Sequence, residues 1–582
     1  MDWPKGIWRI FLILLVAIPA VCTIVIFFFS HETFTEQVFS NYHNPEKLEK
    51  FRSTLLTQER FTLLRFCLIF LTTICLIIGI AAWNRHQQVF LLWHRIRNYS
   101  FHTIKQAREF WWHLPAIERY ITLCLFAVII ISRVYFLYQV PFHIDERFTY
   151  LYFVSKGMGV SMAYYPNPNN HIFFTILCTI ISAFIDDPWL VMKIPAFLMG
   201  FVLVVVYWAV IRSFFDLTIT LLATALFAFS AGVWYYGLQG RGYSLLMICL
   251  LIAIRSVFTI LQIKKNRFTP FFWLWLSSVL GFYTIPIFIY PFTGIMLFAG
   301  IYLLTQKEYA SFLRLCFCTV CILTSAFLLY LPVFVFNGWN AISGNSWVVA
   351  MPWDAFIADI PAHLLSMADN MWGYLPFGQW LLLLTIVYCI IILIRKAHSS
   401  HRRKWVYLFL ICLLSLLVIS VGQRILLFQR LILYLSVFQY LILALLLIDI
   451  VSWLIQKPVY RLYILTGISA FYISFNSFQF YRDTAPEKFD LYDSFDNISS
   501  LLYQKQADII FVNMYEYALC IRFQYETNGK PIDLDSQQTE SGKEYRYLVI
   551  HKEYAVPEQI SLANYKVIYS DAEAVVYEKV SL

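Results

Sequence analysis

Charge is what this chain of 582 residues has least of. Asp, Glu, Lys and Arg make up 14% of it, against about 25% in an ordinary soluble domain, while 60% of the residues are hydrophobic and the mean hydropathy is +0.65. A water-soluble globule of this size has no interior large enough for that much apolar surface, so a soluble enzyme is excluded, and so is disorder. Cysteine outside apolar segments is nearly missing. Of twelve cysteines only Cys520 lies beyond the apolar runs, which leaves no pair for an intrachain disulfide on the oxidising side. Cys316, Cys318 and Cys321 fall within one such run and read as small hydrophobes, not as metal ligands. The chain also lacks a glycine-rich phosphate loop, a cluster with metal-ligand spacing, and any soluble segment interleaving Lys/Arg clusters with aromatics. Nucleic acid is therefore not an expected partner and no cofactor is required; a divalent cation is compatible with the chain, but no ligand spacing points to one.

What is present is a polytopic membrane protein. Apolar runs lie at about 7–29, 61–83, 120–139, 188–211, 217–235, 241–262, 270–284, 286–304, 309–332, 379–395, 405–421, 431–454 and 460–478, which predicts about thirteen transmembrane helices. Lys5 and Arg9 precede the first run, which continues to Phe29 and reads as an uncleaved signal anchor. The net charge of +9 is unevenly spread. Arg482 to Lys579 holds roughly 10 Lys/Arg against 17 Asp/Glu, so the tail is near −7 and the rest near +16. Three loops carry the positive charge: Arg85, Arg95, Arg97, Lys105, Arg108 and Arg119; Lys264, Lys265 and Arg267; and Arg395, Lys396, Arg402, Arg403 and Lys404. If each run crosses once these share a side, the cytoplasmic one. The stretch 337–378 on the opposite side has no Lys or Arg and carries Asp354, Asp359 and Asp369. The N-terminus is then cytoplasmic and the acidic tail extracytoplasmic, with a bacterial inner membrane preferred over the endoplasmic reticulum.

One segment breaks the pattern. Between Gln139 and Pro188 stand PFHIDERFTY and YYPNPNNHIFFTILCTIISAFIDDP, and the run Ile172–Ile185 has 14 residues, too few to cross a core of about 30 Å. It is expected to lie along the outer interface, which puts Asp145, Glu146, Asn170 and His171 together on the outer face. Arg133, Lys193, Arg241, Arg424 and Arg430 fall at the outer ends of their spans, whereas a secondary transporter would hold its substrate near the midplane. Asp186-Asp187 before Pro188 reads as a helix start.

Cations and carboxylates at a membrane surface suit one kind of chemistry. Hydrolysis of a glycoside needs two carboxyl groups, because an alkoxide leaving group must be protonated. A lipid phosphate departs as an anion, so one base for the acceptor and cations for the phosphate suffice. Asp145 and Glu146 are sequence neighbours whose side chains diverge on a helix, so one acts as base and the other supports it.

HIDERFTY, NNHIFFTIL, KIPAFLMG and GLQGRGYSLLMICLL together resemble the GT-C polyprenyl-phosphate-sugar glycosyltransferases, in particular the protein O-mannosyltransferases and the lipid A aminoarabinose transferase. The resemblance covers about 120–300, and LLFQRLILYL (426–435) is similar to the later basic segment of such families. It implies Asp145 as general base with Glu146 supporting, and donor phosphate contacts from Arg241, Tyr243 and Arg430, with Lys193, where these families commonly have Arg, and Arg424 as further cations. Asn170 and His171 are expected to position the loop or the acceptor; His171 matches a family histidine, without the two prolines that follow it there. The implied partners are a polyprenyl-phosphate-linked sugar donor, an acceptor protein, lipid or glycan, and membrane lipids. A transporter or flippase of lipid-linked glycans, and a glycan-binding scaffold without activity, are the alternative readings.

Residues 1–119 are expected to form two N-terminal transmembrane helices and a basic linker, 120–479 an all-α GT-C-like core, and 480–582 a small extracytoplasmic α/β domain. In the tail, Pro486 opens an amphipathic helix with Phe489, Tyr492, Phe495, Ile498 and Leu501 at helical spacing. Segments 507–513, 545–551, 565–570 and 574–579 read as strands, with a helix between the first two. This domain reads as a lid or acceptor-recognition module whose acidity disfavours an anionic acceptor. Aromatics make up 19% of the chain, and the outer loop with Trp339, Trp347, Trp353 and Trp372 is expected to contribute rings that stack on a sugar or form an interfacial belt.

Overall fold

The computed structural model describes residues 5–39, 49, 52–53, 56–84, 109, 111–166, 168–262, 268–343, 349–395, 399–484, 490–540 and 542–580. All thirteen apolar runs fall on helical segments. Eight helices among the described residues are long and apolar enough to cross a membrane alone: Gln58–Ala81, Ala116–Leu137, Pro188–Arg212, Tyr243–Gln262, Pro286–Thr305, Tyr309–Asn337, Ser400–Gln423 and Gln429–Leu454. These eight coincide with eight of the thirteen runs, and the expected polytopic α-helical fold with a small C-terminal α/β domain is borne out. The run 217–235 breaks, because helix Leu217–Ala228 stops at Phe229 and a separate turn, Ala231–Tyr236, follows. Helices Phe268–Thr284 and Gly378–Ile394 have 17 residues each, about 26 Å at 1.5 Å per residue. Of the basic residues expected to set topology, Arg85, Arg95, Arg97, Lys105, Arg108, Lys264, Lys265, Arg267 and Lys396 lie outside the described residues, as do Trp347, Pro486 and Phe489.

Tyr243–Gln262 is mostly apolar, with Arg255 its one charged residue, and is almost wholly buried, as suits the innermost helix of a bundle. It packs against Phe268–Thr284 and Pro188–Arg212. The outer helices keep apolar faces exposed, such as Ile131 at 69% and Phe317 at 72%, surfaces that suit lipid. Ile172–Ser182 is a helix of 11 residues, about 16 Å long, and does not span a bilayer. Asp187 caps Pro188–Arg212 by accepting from Trp189 N at 2.8 Å and Leu190 N at 3.2 Å, as its place before proline predicts.

The C-terminal domain is a five-stranded sheet in the order β2-β1-β3-β5-β4, with β1 Ile509–Val512, β2 Asp533–Ser536, β3 Tyr547–His551, β4 Tyr565–Ser570 and β5 Ala574–Lys579. β1 runs parallel to β2 and β3, and β5 antiparallel to β3 and β4. The expected helix between the first strands is Tyr515–Thr527, and Asp490–Gln504 is the amphipathic one, burying Phe495, Ile498 and Leu502. β2 is absent from the sequence reading, because Asp-Leu-Asp-Ser at a sheet edge has one apolar residue and no alternation to detect.

This domain is fastened to the membrane body through the segment that follows the Ala116–Leu137 helix. Arg147 pairs with Asp496 at 2.6 Å and Lys156 with Glu526 at 2.8 Å. Leu519 packs among Phe148, Leu151 and Phe153.

Candidate active site

The short helix Ile144–Tyr152 is built around its first turn. His143 is the N-cap: its Nδ1 accepts from Asp145 N at 3.1 Å, while Glu146 Oε2 accepts from His143 N at 2.8 Å, so the orphan donors of the helix start are met reciprocally. Glu146 does more than cap. Its Oε2 also accepts from Lys193 Nζ at 3.0 Å and its Oε1 from Gly240 N at 2.5 Å, with both Glu146 and Lys193 fully buried. One carboxylate thus ties together the start of this helix, the Pro188–Arg212 helix and the turn before Arg241. A side chain at 240 would meet Glu146 Oε1 at 2.7 Å, so glycine stands there because the carboxylate must approach the backbone.

Asp145, one residue earlier, diverges from Glu146 as helical neighbours do and lines a cavity of about 530 Å³, a size ordinary for a small-molecule site. Its Oδ2 accepts from Arg430 Nη1 at 3.1 Å. Burial pushes the Asp145 carboxyl up, but Arg241, His143 and Arg430 together outweigh it and hold it below its ordinary value. It is therefore ionised at neutral pH.

Arg241 stands in the same cavity wall. Its Nη1 donates to Asn169 O at 2.9 Å and Thr149 Oγ1 at 3.2 Å, its Nη2 faces His171 Nε2 at 3.1 Å, and its buried Nε has no partner among the described residues. His171 Nδ1 accepts from Gly242 N at 2.8 Å. Burial, then Arg241 and Arg430, push the His171 pKa well down, so the ring is neutral with its proton on Nε2, against another donor. An anion accepting from both Nε2 and the guanidinium would relieve that opposition. Tyr243 lines the cavity with its ring edge-on to His171, centroids 5.0 Å apart.

The overall backbone matches ArnT from Cupriavidus metallidurans bound to undecaprenyl phosphate, with a TM-score of 0.53 and 12% identity over 79% of this chain and 98% of that one. The chain has the GT-C fold. Apo ArnT from the same organism matches with a TM-score of 0.51 at 12% identity, over 80% of this chain and 99% of that one. No family model and no curated protein matches the sequence.

Within this GT-C fold, Asp145, His171, Arg241, Tyr243 and Arg430 meet in one cavity. The other sequence candidates do not. Lys193 and Glu146 pair with each other, both fully buried, and neither lines the cavity. Arg424, in a left-handed conformation at φ 56°, lies over the Trp353 ring at 5.6 Å. Asn170 is buried and positions its loop, donating to Ser161 O at 2.9 Å and Tyr164 O at 3.0 Å and accepting from Thr175 Oγ1 at 2.9 Å. Arg133 is also buried, its three guanidinium nitrogens without partners among the described residues.

Of the four tryptophans expected to stack on a sugar or form a belt, Trp347 lies outside the described residues and the other three do not line the cavity. Trp372 is fully buried against Tyr440, Trp339 stacks on Phe334 at 4.8 Å, and Trp353 carries Arg424; none lines the cavity, whose rings belong to Phe148, Tyr165, Tyr243, Tyr290, Phe428 and Tyr515. For Trp372 the reason is packing, since it caps the Trp353–Met371 helix with its indole in the core, whereas Trp339 and Trp353 stay exposed, as an interfacial belt requires. The sequence reading also missed Thr149 and Asn169 as partners of Arg241, and the wall supplied by Tyr515, Glu516 and Leu519 of the C-terminal domain. The only signal for the last group is a helix beginning after β1, which does not disclose where it docks.

Proposed function

We infer that the chain is an integral membrane glycosyltransferase that moves a sugar from a polyprenyl-phosphate donor to an acceptor hydroxyl at the outer face, with inversion. The observation that carries this reading is the pairing of Asp145 with Arg430 in the cavity where Arg241 keeps an unpartnered Nε. The GT-C fold of an ArnT solved with undecaprenyl phosphate supports the donor class.

In this reading the acceptor O–H gives its proton to Asp145 while its oxygen bonds to the anomeric carbon from the face opposite the phosphate. The carbon–oxygen bond to phosphate breaks, and the electron pair leaves on the phosphate. Arg241 and Arg430 meet that charge, and bidentate guanidinium geometry suits a phosphate better than an ammonium does. His171 supplies a neutral N–H beside Arg241. No nucleotide enters the scheme, because the donor is already activated; a divalent cation is compatible with it, though no ligand spacing points to one. Glu146 and Lys193 act as positioning residues that fix the helix start and the Gly240–Arg241 turn. The acidic domain stands outside the membrane, opposite the basic loops.

Asp145→Asn, assayed for transfer from a panel of polyprenyl-phosphate monosaccharides, tests the reading. Full transfer by the variant would remove Asp145 as base. Wild-type protein that moves lipid-linked sugar across liposomes and transfers nothing would overturn the enzyme reading in favour of a flippase.

A further inference from the structure

The roof of the cavity comes from the C-terminal domain, and it brings a second carboxylate. Glu516 lies in the first turn of the Tyr515–Thr527 helix, lines the same cavity as Asp145, and is only half-buried. Unlike Asp145, which holds Arg430, and Glu146, which holds Lys193, it forms no ion pair or hydrogen bond among the described residues. A cavity carboxylate without a partner is an open acceptor of hydrogen bonds and of positive charge.

The charge balance of the wall says which. Its ionised side chains are Asp145 and Glu516 against Arg241 and Arg430, with His171 neutral. A phosphodiester donor adds one negative charge and engages the two guanidinium groups, which leaves the Glu516 charge uncompensated in a half-buried place. The domain carrying Glu516 is itself near −7, so an anionic molecule approaching from that side is repelled and a cationic one is drawn in.

We propose that Glu516 recognises the acceptor by binding an ammonium group carried close to the acceptor hydroxyl. The proposal rests on the glycosyltransferase reading and names the acceptor chemistry of that site. Position sets the role: Glu516 enters from the water-exposed domain, whereas the lipid phosphate is met by Arg241 and Arg430 on membrane helices or their ends. The domain is held in place by Arg147–Asp496, Lys156–Glu526 and Leu519, three residues after Glu516 on the same helix, so the carboxylate is presented at a fixed point.

The test uses full-length protein in nanodiscs with two neutral-chain probes, octyl 2-amino-2-deoxyglucoside and its N-acetyl counterpart, titrated with and without saturating undecaprenyl phosphate. One charge-assisted hydrogen bond to a partly buried carboxylate corresponds to about a tenfold affinity difference. Wild-type protein is expected to bind the ammonium probe about tenfold more tightly than the N-acetyl probe. Glu516→Gln should erase that preference, and Glu516→Asp should keep part of it. Raising ionic strength should weaken the ammonium probe selectively in wild-type protein, a readout that does not depend on how a variant folds. Equal affinity for the two probes in wild-type protein, or an undiminished preference in Glu516→Gln, overturns the proposal. Failure of undecaprenyl phosphate to bind would overturn the donor reading instead, since the ammonium preference is measured in the unloaded protein as well.

Discussion

Arg430 Nη1 donates to Asp145 Oδ2 at 3.1 Å although the two residues stand 285 positions apart. The contact joins the start of a juxtamembrane helix to the chain entering the Ser436–Leu454 helix, and it puts a guanidinium and an ionised carboxylate side by side at the edge of the cavity. A carboxylate with a fixed cation beside it is oriented and kept ionised; under the proposed function the carboxylate serves as base and the same cation meets the leaving phosphate.

Asp145→Asn should reduce transfer by about 10²- to 10⁴-fold, the range over which general-base catalysis operates. Affinity for undecaprenyl phosphate should change little. Single-turnover transfer and lipid-phosphate titration on the same preparation separate the two effects.

Arg241→Ala and Arg430→Ala should each weaken polyprenyl phosphate binding by about 1.5–3 kcal/mol, the worth of a charged hydrogen bond. Arg430→Ala should also disturb the base, so its loss of kcat should exceed that of Arg241→Ala. Titration with undecaprenyl phosphate, alongside kcat measurement, checks the ordering.

Breaking the Glu146–Lys193 pair should destabilise the protein by about 3–5 kcal/mol, because either partner alone is left as a fully buried charge. Lys193→Met and Glu146→Gln should each lower the thermal unfolding midpoint in detergent. Replacing both should recover part of the loss, though not all of it, since Glu146 also receives the His143 and Gly240 amides.

The acid limb of activity should follow Asp145. Its carboxyl is held below the ordinary 3.8, so transfer should persist through mildly acidic pH and fall only below the usual carboxylate range. A depressed folded-state pKa contributes stability above the unfolded value that is lost as pH falls through the folded one. Arg430→Gln removes one lowering partner and leaves the burial, so its acid limb should move up. A kcat/KM profile for both proteins decides this; no limb near pH 6.5 is expected from His171, which stays neutral.

Gly242→Ala should impair the site without touching an ionisable group. A Cβ there would stand 2.7 Å from Thr284 Cγ2 and 3.1 Å from His171 Cβ, forcing the histidine or the turn to move. Overpacking of this kind costs about 1–3 kcal/mol. Undecaprenyl phosphate affinity should drop with the unfolding midpoint, and Gly467→Ala, where nothing lies within 4 Å of the added atom, should change neither.

Much of this protein was determined by sequence alone, and the reason is that its signals are one-dimensional. Runs of apolar residues locate helices because the bilayer leaves the backbone no other means of satisfying its hydrogen bonds, and all thirteen runs fall on helical segments. Short-range signals were equally legible: Asp187 before Pro188 as a cap, the non-spanning 172–182 helix, and the divergence of Asp145 from Glu146. Only tertiary structure decided which cations meet which carboxylates. Lys193, Arg424 and Arg430 look alike as basic residues at helix ends, yet one is buried on Glu146, one lies over Trp353 and one holds Asp145. Glu516 was undetectable as part of the site for the same reason, since its place in the cavity depends on how one folded domain packs on another. Burial, partner and approach are set by contacts between residues hundreds of positions apart, and no local pattern encodes them.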